Sequence, residues 1–437
     1  MKLMEILNVQ KAKQILKDNS NLENDEQIKI VKELVFHENT EIAVTALKIL
    51  GKLKDKENAN FYLSIINGDF EEKVRKEAVS VLGRMRDYNI AVDYLLNLLN
   101  DRNPEIVLQA IRGLLVFKSK TEIADTLKQL INHKNEIVRD IIEKEFFPNS
   151  FDFDTKKDHI IVKKEYMNKI INGDVLKILR SVENNSIHLT FTSPPYYNAR
   201  DYSIYSSYEE YLDFLEEVFS EVHRVTKDGR FLIVNTSPII IPRVGRKYSS
   251  KRYPIPYDLH GRLVKQGWEF IDDIIWVKPE ASVKNRIGGF QQFRKPLMYK
   301  PNAVTEQLMV YRKKSNRLID WNIRAYEDEV VEASKVLTDF ETANVWVIDP
   351  VYDKVHSAVF PKKLCDNVVK YYSMKGDLVF DPFAGSGTLA KSALSLERKV
   401  FMTEISKEYF ERIMENLSDY AMELEFLDEE TFLHGGK

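Results

Sequence analysis

The run Asp377-Leu378-Val379-Phe380-Asp381-Pro382-Phe383-Ala384-Gly385-Ser386-Gly387-Thr388 decides the fold of the C-terminal part of the chain. Its first four residues form a short apolar stretch that predicts a buried strand, and the residues from Thr388 to Leu396 have a helical period. Gly385 and Gly387 between them allow a tight turn and the close approach of a ligand to the backbone. The turn lacks the lysine of a phosphate-binding loop and the third glycine of the dinucleotide fingerprint. It opens on Asp381 instead, which suits a ligand carrying an ammonium group better than a pyrophosphate. The following strand-like run, Lys399–Met402, leads to Thr403-Glu404. A carboxylate there can accept both hydroxyls of a ribose. Together the two acids fit an amino-acid nucleoside.

Outward from this turn, short β-rich runs alternate with helical ones. Strands are predicted at Ser186–Thr192, Arg230–Asn235, Ile271–Val277 and Gln307–Arg312, and helices at Tyr208–Val225, at Val359–Met374 and from Lys407. Such alternation implies a mostly parallel sheet with helices on both faces, and ligands in such sheets sit at the carboxyl ends of strands. A second motif falls at one of those ends: Thr192-Ser193-Pro194-Pro195-Tyr196 follows the run Ser186–Thr192 directly. Two prolines remove two amide donors and fix φ. The Pro194 carbonyl and the Ser193 hydroxyl can then face a ligand as acceptors, while Tyr196 offers a flat face. That set suits an aromatic amine, whose N–H donors need acceptors while its ring stacks.

The first third of the chain has a different period. Ile42, Val74, Ile106 and Val138 recur every 32 residues, as do Ala46, Ala78 and Ala110, then Leu50, Leu82 and Leu114, and the polar set Asn39, Glu71, Asn103 and Asn135. Each register opens with a polar turn and runs into a helix with apolar residues at i, i+4 and i+8. Units of this size bury their faces only by stacking. The pattern resembles HEAT-type repeats and predicts an all-α solenoid over residues 1–147. Residues 148–163 read as a linker and 164–437 as the α/β domain.

Bulk properties narrow the classes. A 44% hydrophobic and 30% charged chain of 437 residues is an ordinary globular protein of more than one domain. No apolar run approaches the roughly 18 residues that span a bilayer, and the amphipathic N-terminus lacks the features of a signal peptide. The expected location is the cytoplasm, with no membrane partner. Cys365 is the only cysteine, so an intramolecular disulfide and cysteine-based zinc sites are excluded and no metal is expected. The net charge of −3 hides a local excess: between Arg243 and Lys314 stand 16 Lys/Arg and 6 Asp/Glu. This basic segment, within about residues 243–344, is interleaved with aromatics, as a nucleic-acid surface is. Phe290, Phe293 and Arg294 in its glycine-containing loop, with Tyr197, Asn198 and Arg200 behind the proline motif, are the candidate substrate contacts.

From about Lys164 to Tyr420 the chain resembles the β-class amino-methyltransferases, in which a Ser-Pro-Pro-Tyr element precedes the cofactor loop. Asn172-Gly173-Asp174, Trp276-Val277-Lys278-Pro279, Val345-Trp346 and His356–Pro361 fall in the order of that family. The resemblance implies a Rossmann-like methyltransferase domain that uses S-adenosylmethionine, bound by Asp381, Phe383, Ala384, Gly385, Gly387, Thr388 and Glu404, with Pro361 and Asp174. It also implies catalysis at Ser193, Pro194, Pro195 and Tyr196. Family members with serine before the prolines mostly act on cytosine N4, and adenine N6 enzymes more often carry an acid or asparagine there. Methylation of cytosine N4 in DNA is therefore the expectation. A structured RNA such as ribosomal RNA, or adenine N6 in DNA, is the alternative. Cys365 lies in a helical run far from the proline motif, unlike the nucleophile of a cytosine C5 enzyme. The repeats lack obvious base-reading elements and suit a protein or ribonucleoprotein partner.

Overall fold

The computed structural model describes residues 9–53, 58–147, 156–197, 205–241, 243–245, 247–283, 296–297, 301–315, 317–351 and 359–435. Asn198, Arg200, Phe290, Phe293 and Arg294 lie outside these residues. The chain forms two compact units, Met1–Asp152 and Phe153–Lys437.

In the first unit the repeat columns become one face of successive helices. Thr40–Leu50, Glu72–Arg84, Pro104–Leu115 and Glu136–Phe146 each start where the polar column predicts. The reason is local: Asn39, Asn103 and Asn135 turn their side chains onto the first free amides and cap these helices. Glu71 makes no such cap; its carboxylate accepts from the Thr40 hydroxyl one repeat earlier, at 2.6 Å. The columns at Ile42, Ala46 and Leu50 and their equivalents are all buried. Adjacent helices come close enough that a Cβ on Gly83 would lie 3.0 Å from the Gly113 Cα.

The second unit is built on a nine-stranded sheet. Its strands, in chain order, are β1 (Lys169–Asn172), β2 (Ile187–Thr192), β3 (Thr226–Thr236), β6 (Trp268–Val277), β7 (Thr305–Lys313), β8 (Val345–Val347), β9 (Leu378–Asp381), β10 (Lys399–Glu404) and β11 (Glu425–Asp428). The spatial order is β11-β1-β10-β9-β2-β3-β7-β6-β8. Every pairing is parallel except those of β7, which runs antiparallel between β3 and β6. A separate hairpin joins β4 (Ile239–Ile241) to β5 (Lys251–Tyr253). Helices cover both faces: one core gathers Leu215, Phe219 and Leu259 over the sheet, the other Leu364, Val368 and Leu389. β2 is buried along its whole length, as a central strand covered on both sides must be.

The observed strands extend past the predicted runs at several ends, and the reversal of β7 has no signature in its residues. The short strands β1, β8 and β11 cannot be separated from loop by periodicity, since three or four residues define no period. Glu425–Asp428 form β11 at the sheet edge opposite β8, and Glu429 just beyond it accepts from the Asp174 amide at 2.8 Å.

Candidate active site

The parallel pairings bring the ends of β1, β10, β9, β2 and β3 to one edge. Asn172 at the end of β1 is level with Glu404 at the end of β10, and Met402 with Asp381. Asp381 is the last residue of β9, and the turn behind it is held from two sides. The Phe383 amide donates to Asp381 Oδ1 at 3.0 Å, and the Ala384 amide donates to the Thr403 carbonyl at 3.0 Å. Gly385 and Gly387 take φ values of 54° and 79°, the left-handed region that glycine enters without strain. A Cβ on Gly387 would meet Ile413 at 3.0 Å. Thr388 then opens the helix Thr388–Ser395.

Glu404 closes the other side of the turn. Its Oε2 accepts from the Gly385 amide and its Oε1 from the Ser406 amide, each at 2.8 Å. The Ile405 amide also bonds this carboxylate, and the acceptor capacity that remains suits a ligand hydroxyl. Asp381 and Glu404 are 2% and 6% exposed, and among the described residues neither has an ion-pair partner. Burial accordingly pushes both carboxyl groups up to about 7. Two buried acids lacking a cation, beside a turn that admits close approach, fit a ligand that supplies an ammonium group and hydroxyl donors. Asp174 lies two residues beyond β1 at the same edge and caps the helix Val175–Ser181 through Leu176 N at 2.8 Å. Pro361 is buried at the start of the helix Lys362–Tyr372, and its neighbour Phe360 stacks on Phe191 of β2 at 4.6 Å.

The proline motif is joined directly to this turn. Thr192, the last residue of β2, donates its hydroxyl to Asp381 Oδ1 at 2.6 Å in a buried bond. Ser193 therefore starts beside the cofactor loop. Tyr196 is half-buried, and its phenol is pushed far above its usual value by burial and by the Glu306 carboxylate. Its hydroxyl lies 3.5 Å from Glu306 Oε2. Tyr197 is buried, its ring packed against Tyr208 at 5.5 Å and Tyr253 at 5.1 Å. That aromatic cluster reaches the cofactor loop through Phe214, 6.1 Å from Phe383.

The pairing of strands adds residues that neither motif contains. Asn235 of β3 and Glu306 of β7 meet at 2.6 Å, and Lys278 at the end of β6 pairs with the same carboxylate. The basic segment is also partly accounted for within the fold. Arg262 is held by Glu209, Asp213 and Glu216, Arg312 by Glu269, and Lys313 by Asp228. Arg243, Lys247, Lys251 and Arg252, in and around the β4–β5 hairpin, are exposed.

Among the described residues no cluster of His, Cys, Asp and Glu could hold a metal ion, and no helix is long and apolar enough to cross a membrane. The DNA methylase family profile for N6 and N4 enzymes matches residues 187–415, more than half of the chain. The HEAT-repeat profile matches residues 28–116 and 59–144. The chain is 29% identical over 248 residues to the type II methyltransferase M.MwoI of Methanothermobacter wolfeii, a match covering 54% of this chain and 32% of that protein. It is 32% identical over 255 residues to the orphan methyltransferase M.BamHII of Bacillus amyloliquefaciens, covering 54% of this chain and 91% of the relative. Among solved structures, a DNA modification methylase from Thermus thermophilus complexed with S-adenosyl-L-methionine is 25% identical, covers 60% of this chain and 98% of its own, and has a TM-score of 0.48. S-adenosylmethionine is the cofactor of this methylase family, and the residues around Asp381 and Glu404 suit it. A profile matched across more than half of the sequence and a relative aligned over nearly its whole length place the chain in the N6/N4 DNA methylase family.

Proposed function

We propose that the chain methylates the exocyclic N4 amino group of cytosine in DNA. The observation that carries this reading is the buried bond from Thr192 to Asp381. It fixes the amine-accepting Ser193-Pro194 pair against the cofactor loop. S-adenosylmethionine, when bound, supplies an electrophilic methyl group. Asp381 takes the cofactor's ammonium group and Glu404 its ribose hydroxyls.

The amine of cytosine is a poor nucleophile because its lone pair is delocalised into the ring. Ser193 Oγ and the Pro194 carbonyl accept its two N–H groups, favour a tetrahedral nitrogen and free the lone pair. Placement and exclusion of water do the rest. The target base leaves its stack to reach this edge, and the Tyr196 ring receives it. Loss of that ring weakens base capture by roughly 1–3 kcal/mol. The preference for cytosine rests on serine before the two prolines, and the preference for DNA on the family. The exposed basic hairpin around Lys251 and Arg252 and the candidate contacts Asn198, Arg200, Phe290, Phe293 and Arg294 supply the phosphate and base contacts.

The test is methyl transfer from tritiated cofactor to amplified bacterial DNA, ribosomal RNA and a protein pool, followed by digestion of the labelled product to nucleosides. Label in N4-methylcytosine from DNA is expected. Label in N6-methyladenine overturns the base assignment, and label confined to RNA or protein overturns the substrate.

A further inference from the structure

The turn Asn172-Gly173-Asp174 follows β1 and stands between two acids from other parts of the chain. On one side it is tied to Glu404: the Gly173 amide and Asn172 Nδ2 both donate to the Glu404 carbonyl, at 3.0 and 2.8 Å. On the other side it is tied to Glu429. The Asp174 amide donates to Glu429 Oε2 at 2.8 Å, and the Lys177 ammonium donates to Oε1 at 2.8 Å. Lys177 and the Asp174 amide hold the Glu429 carboxyl below its usual range, so at neutral pH it only accepts.

Glu429 is delivered to this point by the packing of its own segment. β11 runs parallel to β1, with Asp428 level with Asn172. The helix Glu429–His434 follows, and its Phe432 ring lies 5.8 Å from Phe401 of β10. Gly173 is the residue that lets the acid in. It is not one of the glycines with a left-handed φ, yet a Cβ there would lie 2.7 Å from the Glu429 Cβ and 3.0 Å from its Oε2. A side chain at this position would push the carboxylate off the Asp174 amide.

The order of strand ends places this turn along the cofactor. In the function proposed above, Asp381 at the end of β9 takes the ammonium group and Glu404 at the end of β10 takes the ribose. β1 is the next strand on that side, so the turn lies at the adenosyl end. We propose that Glu429 is a positioning residue for cofactor binding, clamping the Asn172–Asp174 turn against Glu404 and so fixing the adenosyl end of the S-adenosylmethionine site. The inference rests on the assignment of Glu404 to the cofactor, and the two can fail separately.

The experiment measures calorimetric affinity for S-adenosylmethionine, kcat, KM for amplified bacterial DNA and the unfolding temperature without cofactor in Glu429→Ala, Glu429→Asp, Glu429→Gln and Glu404→Ala. Glu429→Ala removes the acceptor, and Glu429→Asp keeps the charge but shortens its reach to the Asp174 amide. Each should weaken cofactor affinity roughly tenfold, the scale of one hydrogen bond to a charged group, while kcat at saturating cofactor and KM for DNA hold. Glu429→Gln keeps an oxygen for the Asp174 amide and should restore affinity to within about twofold of the parent. If Glu429→Ala folds poorly, the comparison of Glu429→Asp with Glu429→Gln makes the same test. A lowered unfolding temperature with cofactor affinity intact is the mark of a merely structural contact and overturns the positioning role. Equal losses of affinity in Glu429→Gln and Glu429→Asp also overturn it. Undiminished affinity in Glu404→Ala overturns instead the assignment of the site on which it rests.

Discussion

Asp377 and Asp381 stand at opposite ends of the same strand, and their surroundings differ in one respect that separates structure from function. Both are buried, at 1% and 2% exposure. Around Asp377 the protein supplies every partner. The Arg230 guanidinium lies 3.5 Å from one oxygen, the His188 imidazole 3.6 Å from the other, and the Tyr326 hydroxyl and the Met374 amide complete the set. Burial alone would raise the carboxyl; the His188 ring, Arg230 and the hydrogen bonds outweigh it and hold Asp377 below the usual range. Burial likewise pushes His188 well down. Asp381 receives a hydroxyl and an amide but, among the described residues, no cation, and burial pushes it up to about 7. Around Asp377 the amino edge of the sheet is electrostatically closed, whereas the carboxyl edge keeps an acid that no cation meets among the described residues, the state expected of a group that binds a charged ligand.

Substitutions at the two ends should therefore fail in different ways. Asp377→Ala leaves Arg230 buried without its counter-charge and should destabilise the second unit by about 3–5 kcal/mol in urea unfolding. The molecules that remain folded should bind cofactor normally. Asp381→Asn should do the reverse, weakening calorimetric affinity for S-adenosylmethionine by about 1.5–3 kcal/mol, the cost of a charge-assisted hydrogen bond, with no loss of stability. A carboxyl raised from 3.8 to about 7 contributes stability that is complete below its unfolded value and lost as pH rises through about 7. Asp381→Asn should thus lose less stability than the parent across that window.

Gly387→Ala forces an L-residue to a φ of 79° against Ile413. It should cost about 1–2 kcal/mol of stability, read as a lowered urea midpoint. A result near zero would mean that the turn can move, and that its geometry is not what presents Asp381.

Much of the fold and of the candidate site is legible in the sequence, and the reason is locality. The helical columns of the repeats, the turn at Gly385 and Gly387 and the proline motif after β2 are each encoded within a dozen residues, where periodicity and the chemistry of glycine and proline act directly. Asp381, Glu404 and Ser193 could be named because strand ends in parallel sheets are where ligands sit. Thr192, Asn235, Lys278 and Glu306 could not be assigned roles in this way. Glu306 is 110 positions from Tyr196, and the two meet only because β7 runs against its neighbours. Arg262, Arg312 and Lys313 read as part of a basic surface, yet their charges are met by acids on other elements. A count of charges along the chain does not see those pairings.

The claim that Asp381 awaits an external cation and Glu404 hydroxyl donors is tested most directly by the protons displaced when that ligand arrives. Calorimetric titration of S-adenosylmethionine at pH 6, 7 and 8, in buffers of different ionisation enthalpy, measures both affinity and proton release. Below about 7 the two carboxyl groups are protonated in the free protein, and a positively charged ligand favours their ionised form. Binding should therefore release protons at pH 6, with affinity rising by at most about tenfold per pH unit for each proton released and levelling above about 8. Binding that releases no proton and holds the same affinity from pH 6 to 8 would contradict the account.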